Sequence, residues 1–298
     1  MSSRDISVSV CISAYNHVDF IEEALNSVLD QECDFGYEII LSNDKSTDQT
    51  HEVITKIIDN HPLGKKIRYF NQEENLGING NLIFTLEQAT GKYIALLEGD
   101  DYWLDNNKLQ KQFDFLEAHP DYTLCTAAYR TVTLDHQQFD RKLGGDVKDF
   151  TYTFDTIKGF SPNYLNMFFT RQSLEVEKLK KFVYSGDNVI FLMCLSKGKI
   201  YFSNEILAFR RTHANSAWTA KSEIERKRMG VEQLIGLYKF PEFRSTIRSS
   251  LFYISLDLLC SGQHNGKLIW RSFKLIRKPN EFIYFARVLL SNLHRVYV

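Results

Sequence analysis

Glu98, Asp100 and Asp101 are three carboxylates within four residues, and they directly follow the apolar run Tyr93, Ile94, Ala95, Leu96 and Leu97. A short run without alternation suits a strand buried on both faces of a parallel sheet. Like charges at the end of such a strand repel, and one stays protonated unless a cation neutralises the group. Hard oxygen ligands at this density suit a divalent ion such as Mg2+ or Mn2+, with a phosphate completing the shell. Open α/β sheets bind ligands outside the carboxyl ends of their strands, which is where these residues fall. The plainer alternative is a strand that ends in a solvated acidic turn.

The preceding segments must position that turn. Ile6, Val8, Val10 and Ile12 alternate with small or polar residues and predict a first strand. Ser13 to Asn16 form a loop, and Ile21, Ala24, Leu25, Val28 and Leu29 recur at helical spacing. Residues 37–41 predict a second strand, which ends near Asp44. Ser46 with Gln49 reads as a capping box for a helix faced by Val53, Ile54, Ile57 and Ile58. Ile67 to Phe70 predict a third strand, and residues 75–81 open a helix with Leu82, Ile83 and Leu86 inward. The acidic strand is the fourth. Strands alternating with helices predict βαβ units and a parallel sheet, which gathers Tyr15, Asp44, Glu98, Asp100 and Asp101 on one edge. This is the pattern of a nucleotide-type cleft, without the Gly-x-Gly-x-x-Gly of dinucleotide binders.

Further on, Leu109, Phe113 and Leu116 predict a helix, and residues 122–134 are β-rich. Residues 135–150 lack periodicity and read as a surface loop. A strand is expected within 161–170, an apolar helix over 189–195 opened by Gly186, Asp187 and Asn188, and short strands at 199–202 and 206–209. From about residue 220 the pattern is helical. The chain has 298 residues, 44% hydrophobic and 24% charged, a soluble globular composition. A net charge of -1 gives no global attraction to nucleic acid. Cys11, Cys33, Cys125, Cys194 and Cys260 are widely spaced and odd in number, which predicts buried thiols in a reducing cytosol. The start lacks an apolar signal core, and no run approaches the roughly 20 apolar residues of a membrane span.

In order, these segments resemble glycosyltransferase family 2, the inverting enzymes with the GT-A fold. The resemblance covers residues 5–215 and rests on VSVCISAYN at 8–16, SVLDQ at 27–31, NDKSTD at 43–48, NLG at 75–77 and EGDD at 98–101, with Asp187 and His213 later. It implies an α/β GT-A domain over 1–215, with a nucleotide-sugar half (1–103) and an acceptor half (104–215), and leaves 216–298 as a helical extension. There are departures from the family pattern. Ser13 stands for a usual proline, Asn43 for the first aspartate of its loop, Lys45 for a glycine and Glu98 for the first aspartate of the Asp-x-Asp motif.

The resemblance implies a nucleotide-diphosphate sugar, with UDP the commonest base, held by Ser13, Ala14, Tyr15, Asp19, Asp44, Asn75, Gly77, Asn81, Glu98, Gly99 and Asp100. Asp44 would accept the uracil N3–H; its alternative role is a helix cap before Ser46. Tyr15 would stack on the base, or is a plain surface or core tyrosine. Asp100 would bind Mn2+ or Mg2+, with His213 completing the shell unless that histidine is structural. Asp101 would help coordinate the metal or orient an acceptor hydroxyl, Trp103 would meet the acceptor, and Arg210 or Arg211 a phosphate. Asp187 would be the general base, a role compatible with a helix-cap position. The acceptor would be a glycan or lipid-linked oligosaccharide of the cell surface.

Two other classes share parts of the pattern. A sugar-nucleotide pyrophosphorylase would need a Gly-rich, Arg-containing loop where Ser13 to Asn16 stand. A non-catalytic nucleotide-sugar-binding module would keep the cleft without needing Asp100 and Asp187. Residues 262–298 carry seven Lys or Arg against the single acid Glu281, interleaved with Trp270, Phe273, Phe282, Tyr284, Phe285 and Tyr297. That suits a peripheral contact with the anionic inner face of the cell membrane. It equally suits helices that pack their aromatics, or a homodimer interface.

Overall fold

The computed structural model describes residues 6–133, 138–141, 148–153, 164–182, 186–213, 221–260 and 266–286. The chain runs β1 (Ile6–Ala14), α1 (Ile21–Leu29), β2 (Gly36–Asn43), α2 (Thr50–Asn60), β3 (Ile67–Asn71), α3 (Gly77–Gln88), β4 (Tyr93–Glu98) and β5 (Tyr102–Trp103). It continues through α4 (Lys108–Ala118), β6 (Tyr122–Thr133), β7 (Gln138–Arg141), β8 (Phe150–Tyr152), β9 (Phe168–Thr170), α5 (Val176–Leu179), α6 (Asp187–Leu195) and β10 (Lys199–Thr212). Three further helices are α7 (Glu223–Tyr238), α8 (Arg244–Cys260) and α9 (Gly266–Leu275), and residues 279–286 are also helical. The described residues fall into two compact units. One holds those up to residue 180 together with 186–213, and the other holds 181–182 and everything from 221.

The first unit is built on one sheet with strand order β3-β2-β1-β4-β9-β6-β10-β5, β7 lying on β6 and β8 on β10. β3, β2, β1 and β4 are mutually parallel, as the βαβ pattern predicts. Beyond β4 the sheet is mixed, because β9 runs antiparallel to both β4 and β6 and β5 antiparallel to β10. The expected parallel pairing thus holds for β3, β2, β1 and β4 and again for β6 with β10, while β5, β7, β8 and β9 join the sheet antiparallel. The alternation in β1 does not mark a wet face either. Ser9 and Cys11 are as buried as Val8, Val10 and Ile12, since β1 lies between two parallel neighbours and is covered on both sides.

Helical periodicity located the packed faces well. Ile21, Ala24, Leu25, Val28 and Leu29 are the buried residues of α1, and Leu82, Ile83 and Leu86 face inward from α3. Ser46 does not cap α2; that helix starts at Thr50 after Gln49, and the Ser46 hydroxyl donates to Asn43 instead. β10 is one strand where two were expected, with an irregular register between Ser203 and Ala208. Within the expected loop at 135–150, residues 138–141 form β7, while 134–137 and 142–147 lie outside the described residues.

The second unit has its own core of Val231, Leu251, Phe252, Leu256, Leu258, Leu275 and Phe285. A capping box starts α7: the Ser222 hydroxyl accepts from Glu225 N–H, and the Glu225 carboxylate accepts from Ser222 N–H at 2.8 Å. Arg248 holds buried Glu281 through two hydrogen bonds of 2.9 and 3.0 Å. No described helix is long and apolar enough to cross a membrane.

Candidate active site

The carboxyl ends of the parallel strands are level. Ala14 of β1 is in register with Asn43 of β2, Ser13 with Glu98 of β4, and Asn43 with Asn71 of β3. The chain leaving each strand is tied to its neighbour: Asp44 N–H donates to Ala14 O at 2.8 Å and Gly99 N–H to Ser13 O at 2.9 Å. The polar residues that follow these strands therefore share one edge, for the reason the βαβ pattern supplies.

Asp100 is buried at that edge. Its Oδ2 lies 3.1 Å from His213 Nε2 and 4.0 Å from His17 Nε2, while Oδ1 is buried without a hydrogen-bond partner. Burial drives its pKa up, but the hydrogen bond from His213 and the charges of His17 and His213 hold it below the ordinary carboxylate value. Asp101 goes the other way. Its burial, then the charges of Asp100 and Glu98, push its carboxyl well above the usual range, although it accepts from Arg211 N–H at 2.8 Å. Carboxylate oxygens of Glu98, Asp100 and Asp101 lie within 4.8 Å of one another.

His17 was not singled out by the sequence; only the strand order reveals it. Its backbone N–H donates to Thr50 Oγ1 at 2.8 Å, and that hydroxyl is held by Asp48 Oδ1 at 2.5 Å. Its Nδ1 is buried and unpartnered. Gly99 makes room for it: a Cβ on Gly99 would stand 2.8 Å from His17 Nδ1 and 2.9 Å from Ile21 Cδ1. Burial lowers the His17 pKa, with Asp100 opposing. The loop after β1 is braced against the loop after β2, for Asn16 N–H donates to Ser46 Oγ at 2.9 Å and Asn16 Oδ1 accepts from Thr47 N–H at 2.7 Å. Asn16 and Lys45 both adopt left-handed backbone, with φ of 55° and 57°. Asparagine tolerates that region; lysine is strained in it.

Asp44 is buried, and its Oδ1 accepts from Leu76 N–H at 2.6 Å. It thus caps the start of α3, not a helix before Ser46. Burial raises its pKa against the pull of the Leu76 and Gly77 backbone amides. Asn75 bridges the same turn, donating to Asp44 O at 3.0 Å and accepting from Gly77 N–H at 3.1 Å, and Gly77 takes a φ of 73°. Asn81 donates to Ser42 O at 3.1 Å, leaving its buried Oδ1 without a partner, as is Ser13 Oγ. Ala14 is buried, whereas Tyr15 and Asp19 are exposed on the rim.

Trp103 lies in the core, with its indole N–H donating to Leu165 O at 3.0 Å and Lys108 Nζ 4.0 Å above the ring. That is a packing position, not an accessible surface for an acceptor. Arg211 is likewise committed. Its guanidinium donates to Asp100 O at 2.8 Å, pairs with Glu23 and lies 4.3 Å over the Tyr102 ring. Arg210, half-buried, is the arginine whose charge reaches Asp101. Asp187 is the first residue of α6, after Gly186; its side chain lies outside the described residues.

The family model described as "Glycosyl transferase family 2" matches residues 9–193. The chain belongs to that family. Proteins similar to it include the "Putative teichuronic acid biosynthesis glycosyltransferase TuaG" of Bacillus subtilis, 29% identical across 74% of this chain and 84% of TuaG. The "UDP-Glc:alpha-D-GlcNAc-diphosphoundecaprenol beta-1,3-glucosyltransferase WfaP" of Escherichia coli is 28% identical across 77% of this chain and 87% of WfaP. Against an uncharacterised Mycobacterium tuberculosis relative at 28% identity, the match covers 74% of this chain but 63% of that protein's length. Among solved structures, S. aureus TarS in complex with UDP-GlcNAc superposes with a TM-score of 0.62 at 16% identity, covering 95% of this chain and 80% of that one. The mannosyltransferase PcManGT of Pyrobaculum calidifontis, in complex with GDP-Man and Mn2+, gives 0.62 at 14% identity, covering 99% and 84%. These likenesses establish the GT-A fold for the family 2 chain.

The residues present fit a divalent cation. Asp100 offers a buried, unpartnered carboxylate oxygen, and Glu98 and Asp101 bring further hard oxygens within reach of it. Burial, then the charges of Asp100 and Glu98, raise the Asp101 pKa, and a bound cation would act against that rise.

Proposed function

We propose that the protein transfers a sugar, with inversion, from a nucleotide-diphosphate sugar to a hydroxyl of a growing surface glycan or a lipid-linked acceptor. The observation that carries this reading is the buried Asp100 with its free Oδ1, set level with the ends of β1, β2 and β4. UDP is the favoured nucleotide, in line with the donor named for WfaP and the ligand of the TarS complex. The edge formed by Ser13, Ala14, Tyr15, Asp19, Asp44, Asn75, Gly77, Asn81, Glu98 and Gly99 holds the donor in this reading. Its free acceptors and donors, Ser13 Oγ, Asn81 Oδ1 and His17 Nδ1, are groups whose burial calls for a partner.

Mn2+ or Mg2+, held by Asp100 with help from Glu98 and Asp101, would offset the negative charge of the diphosphate as it leaves. His213 then serves as the positioning partner of Asp100 or as a further ligand. Asp187 takes the proton of the acceptor hydroxyl as its oxygen attacks the anomeric carbon from the face opposite the diphosphate. The bond from that carbon to the phosphate oxygen breaks, and the nucleoside diphosphate departs with the electron pair. Domain boundaries near 215 and action at the cytoplasmic side belong to the same reading.

The test is a thermal-shift series on the full chain with UDP, GDP, UDP-sugars and GDP-mannose, each with and without Mn2+. A ligand that binds the native state raises the midpoint. A metal-dependent rise with one nucleotide class, followed by release of that nucleoside diphosphate in a turnover assay, is the expected result. No rise with any nucleotide, or full turnover in excess EDTA, would sink the reading.

A further inference from the structure

Six of the twelve large apolar or aromatic side chains exposed among the described residues fall between residues 253 and 284: Tyr253, Trp270, Phe273, Phe282, Ile283 and Tyr284. The remaining six are scattered over residues 6–104. Ring contacts join parts of this group. Trp270 stacks on Phe273 with ring centroids 5.8 Å apart, Phe273 meets Phe285 at 5.9 Å, and Tyr253 meets Tyr284 at 5.9 Å. Phe285 turns inward to the core of this unit, so the rings are rooted in packed structure. On α9 the exposed Trp270, Phe273 and Lys274 share one helical face, while Ser272 and Leu275 face in. Trp270 is 58% exposed, Phe273 44% and Phe282 52%, which is costly for side chains that gain most from leaving water.

Among the described residues, Lys274, Arg277 and Lys278 are exposed, and Lys274 Nζ sits 5.0 Å over the Trp270 ring. Asp257, an exposed acid one helical turn after Tyr253 on α8, is paired with Lys227 at 2.8 Å. The one acid nearby in sequence, Glu281, is buried and spent: it pairs with Arg248 and accepts from the backbone N–H of Arg277 and Lys278 at 2.8 and 3.1 Å. Its pKa falls to about 2, so it stays ionised yet internally neutralised. The surface thus combines amphipathic rings with three cations that pair with no carboxylate side chain among the described residues. A protein partner with a dry core would match the rings but leave the cations at its rim. A bilayer headgroup region matches both, since Trp, Tyr and Phe settle at the acyl boundary while Lys and Arg meet lipid phosphates.

We propose that the face formed by Tyr253, Trp270, Phe273, Phe282, Ile283 and Tyr284 with Lys274, Arg277 and Lys278 docks on an anionic phospholipid bilayer. The proposal rests on this surface alone and does not depend on the donor, the metal or the base proposed above.

Flotation of the full chain with phosphatidylcholine vesicles, with and without phosphatidylglycerol, tests it. The protein should float with the anionic vesicles, far less with the neutral ones, and progressively less as salt rises. The triple substitution K274E/R277E/K278E should weaken binding at least about 10²-fold, because each near-surface cation is worth roughly a factor of five. W270A/F273A should weaken it by a comparable factor while leaving the circular dichroism spectrum and thermal midpoint unchanged, as both rings are exposed. Trp270 fluorescence should be quenched by brominated lipid, and the quenching should be lost in W270F. Failure of the folded wild-type chain to float with anionic vesicles at low salt would overturn the proposal. So would binding indifferent to both sets of substitutions, or a dimer in light scattering that dissociates in W270A/F273A.

Discussion

Lys108 makes the most searching test of how this core is built. It opens α4 at the positive end of the helix dipole, which disfavours a cation, and it has no exposed surface. Its Nζ donates to Gln112 Oε1 at 2.6 Å while lying 4.0 Å over the Trp103 ring, and Asp105 is engaged by Lys111 at 2.8 Å. Burial takes the Lys108 pKa from its ordinary 10.5 down to about 7. The folded pKa lies below the unfolded one, so between these values the unfolded chain binds the extra proton. Stability therefore rises with pH across that window. At about 1.4 kcal/mol per tenfold, the full window is worth on the order of 5 kcal/mol, of which about 2 kcal/mol falls between pH 7 and 9. Lys108→Met keeps the volume and removes the titration. Urea unfolding of both proteins, followed by circular dichroism at pH 7, 8 and 9, should show the wild type gaining about 2 kcal/mol relative to the variant. Parallel pH dependences would refute the argument, because they would mean that Lys108 keeps the same charge when folded and unfolded.

Asp100→Asn should abolish the Mn2+-dependent part of the nucleotide thermal shift, since it removes the charge that faces the ion while an amide oxygen remains for His213. Asp187→Asn should cut turnover on the order of 10²–10⁴-fold for a lost general base, with the donor-induced midpoint shift unchanged. An equal loss of donor binding would instead make Asp187 a donor contact or a helix-start residue. Lys45→Gly should stabilise the chain by roughly 0.5–1 kcal/mol in urea unfolding, because a left-handed lysine costs about 1–2 kcal/mol and glycine's extra unfolded entropy returns part of it. Destabilisation by that change would mean that the lysine side chain, not its backbone, holds the loop after β2.

Much of the first half of this fold is legible in the chain because its signals are local. The inward faces of α1 and α3 follow from spacing at 3.6 residues per turn, and the acidic turn follows from an apolar run that stops abruptly. Parallel βαβ units then oblige the strand ends to share an edge, so Asp44, Asp100 and Tyr15 could be assigned to one side without coordinates. The second half is less legible. β9 is only three residues long and reverses direction between β4 and β6, and nothing in three residues tells a strand which way its neighbours run.

By itself the sequence determined the element order up to β4, the acidic strand end and the family motifs, since each depends on residues close along the chain. Tertiary structure decided which side chains meet. His17 and Asp100 stand 4.0 Å apart because β1 and β4 are sheet neighbours, and Gly99 leaves the space between their loops. The same applies to Asp44, whose carboxylate looks like a local helix cap but is drawn to the amide of Leu76, 32 residues on. It applies equally to Trp103, which the family resemblance would set against the acceptor and which packing buries together with Lys108. Periodicity reports which face of an element is apolar; only the assembled sheet decides which groups close on that face.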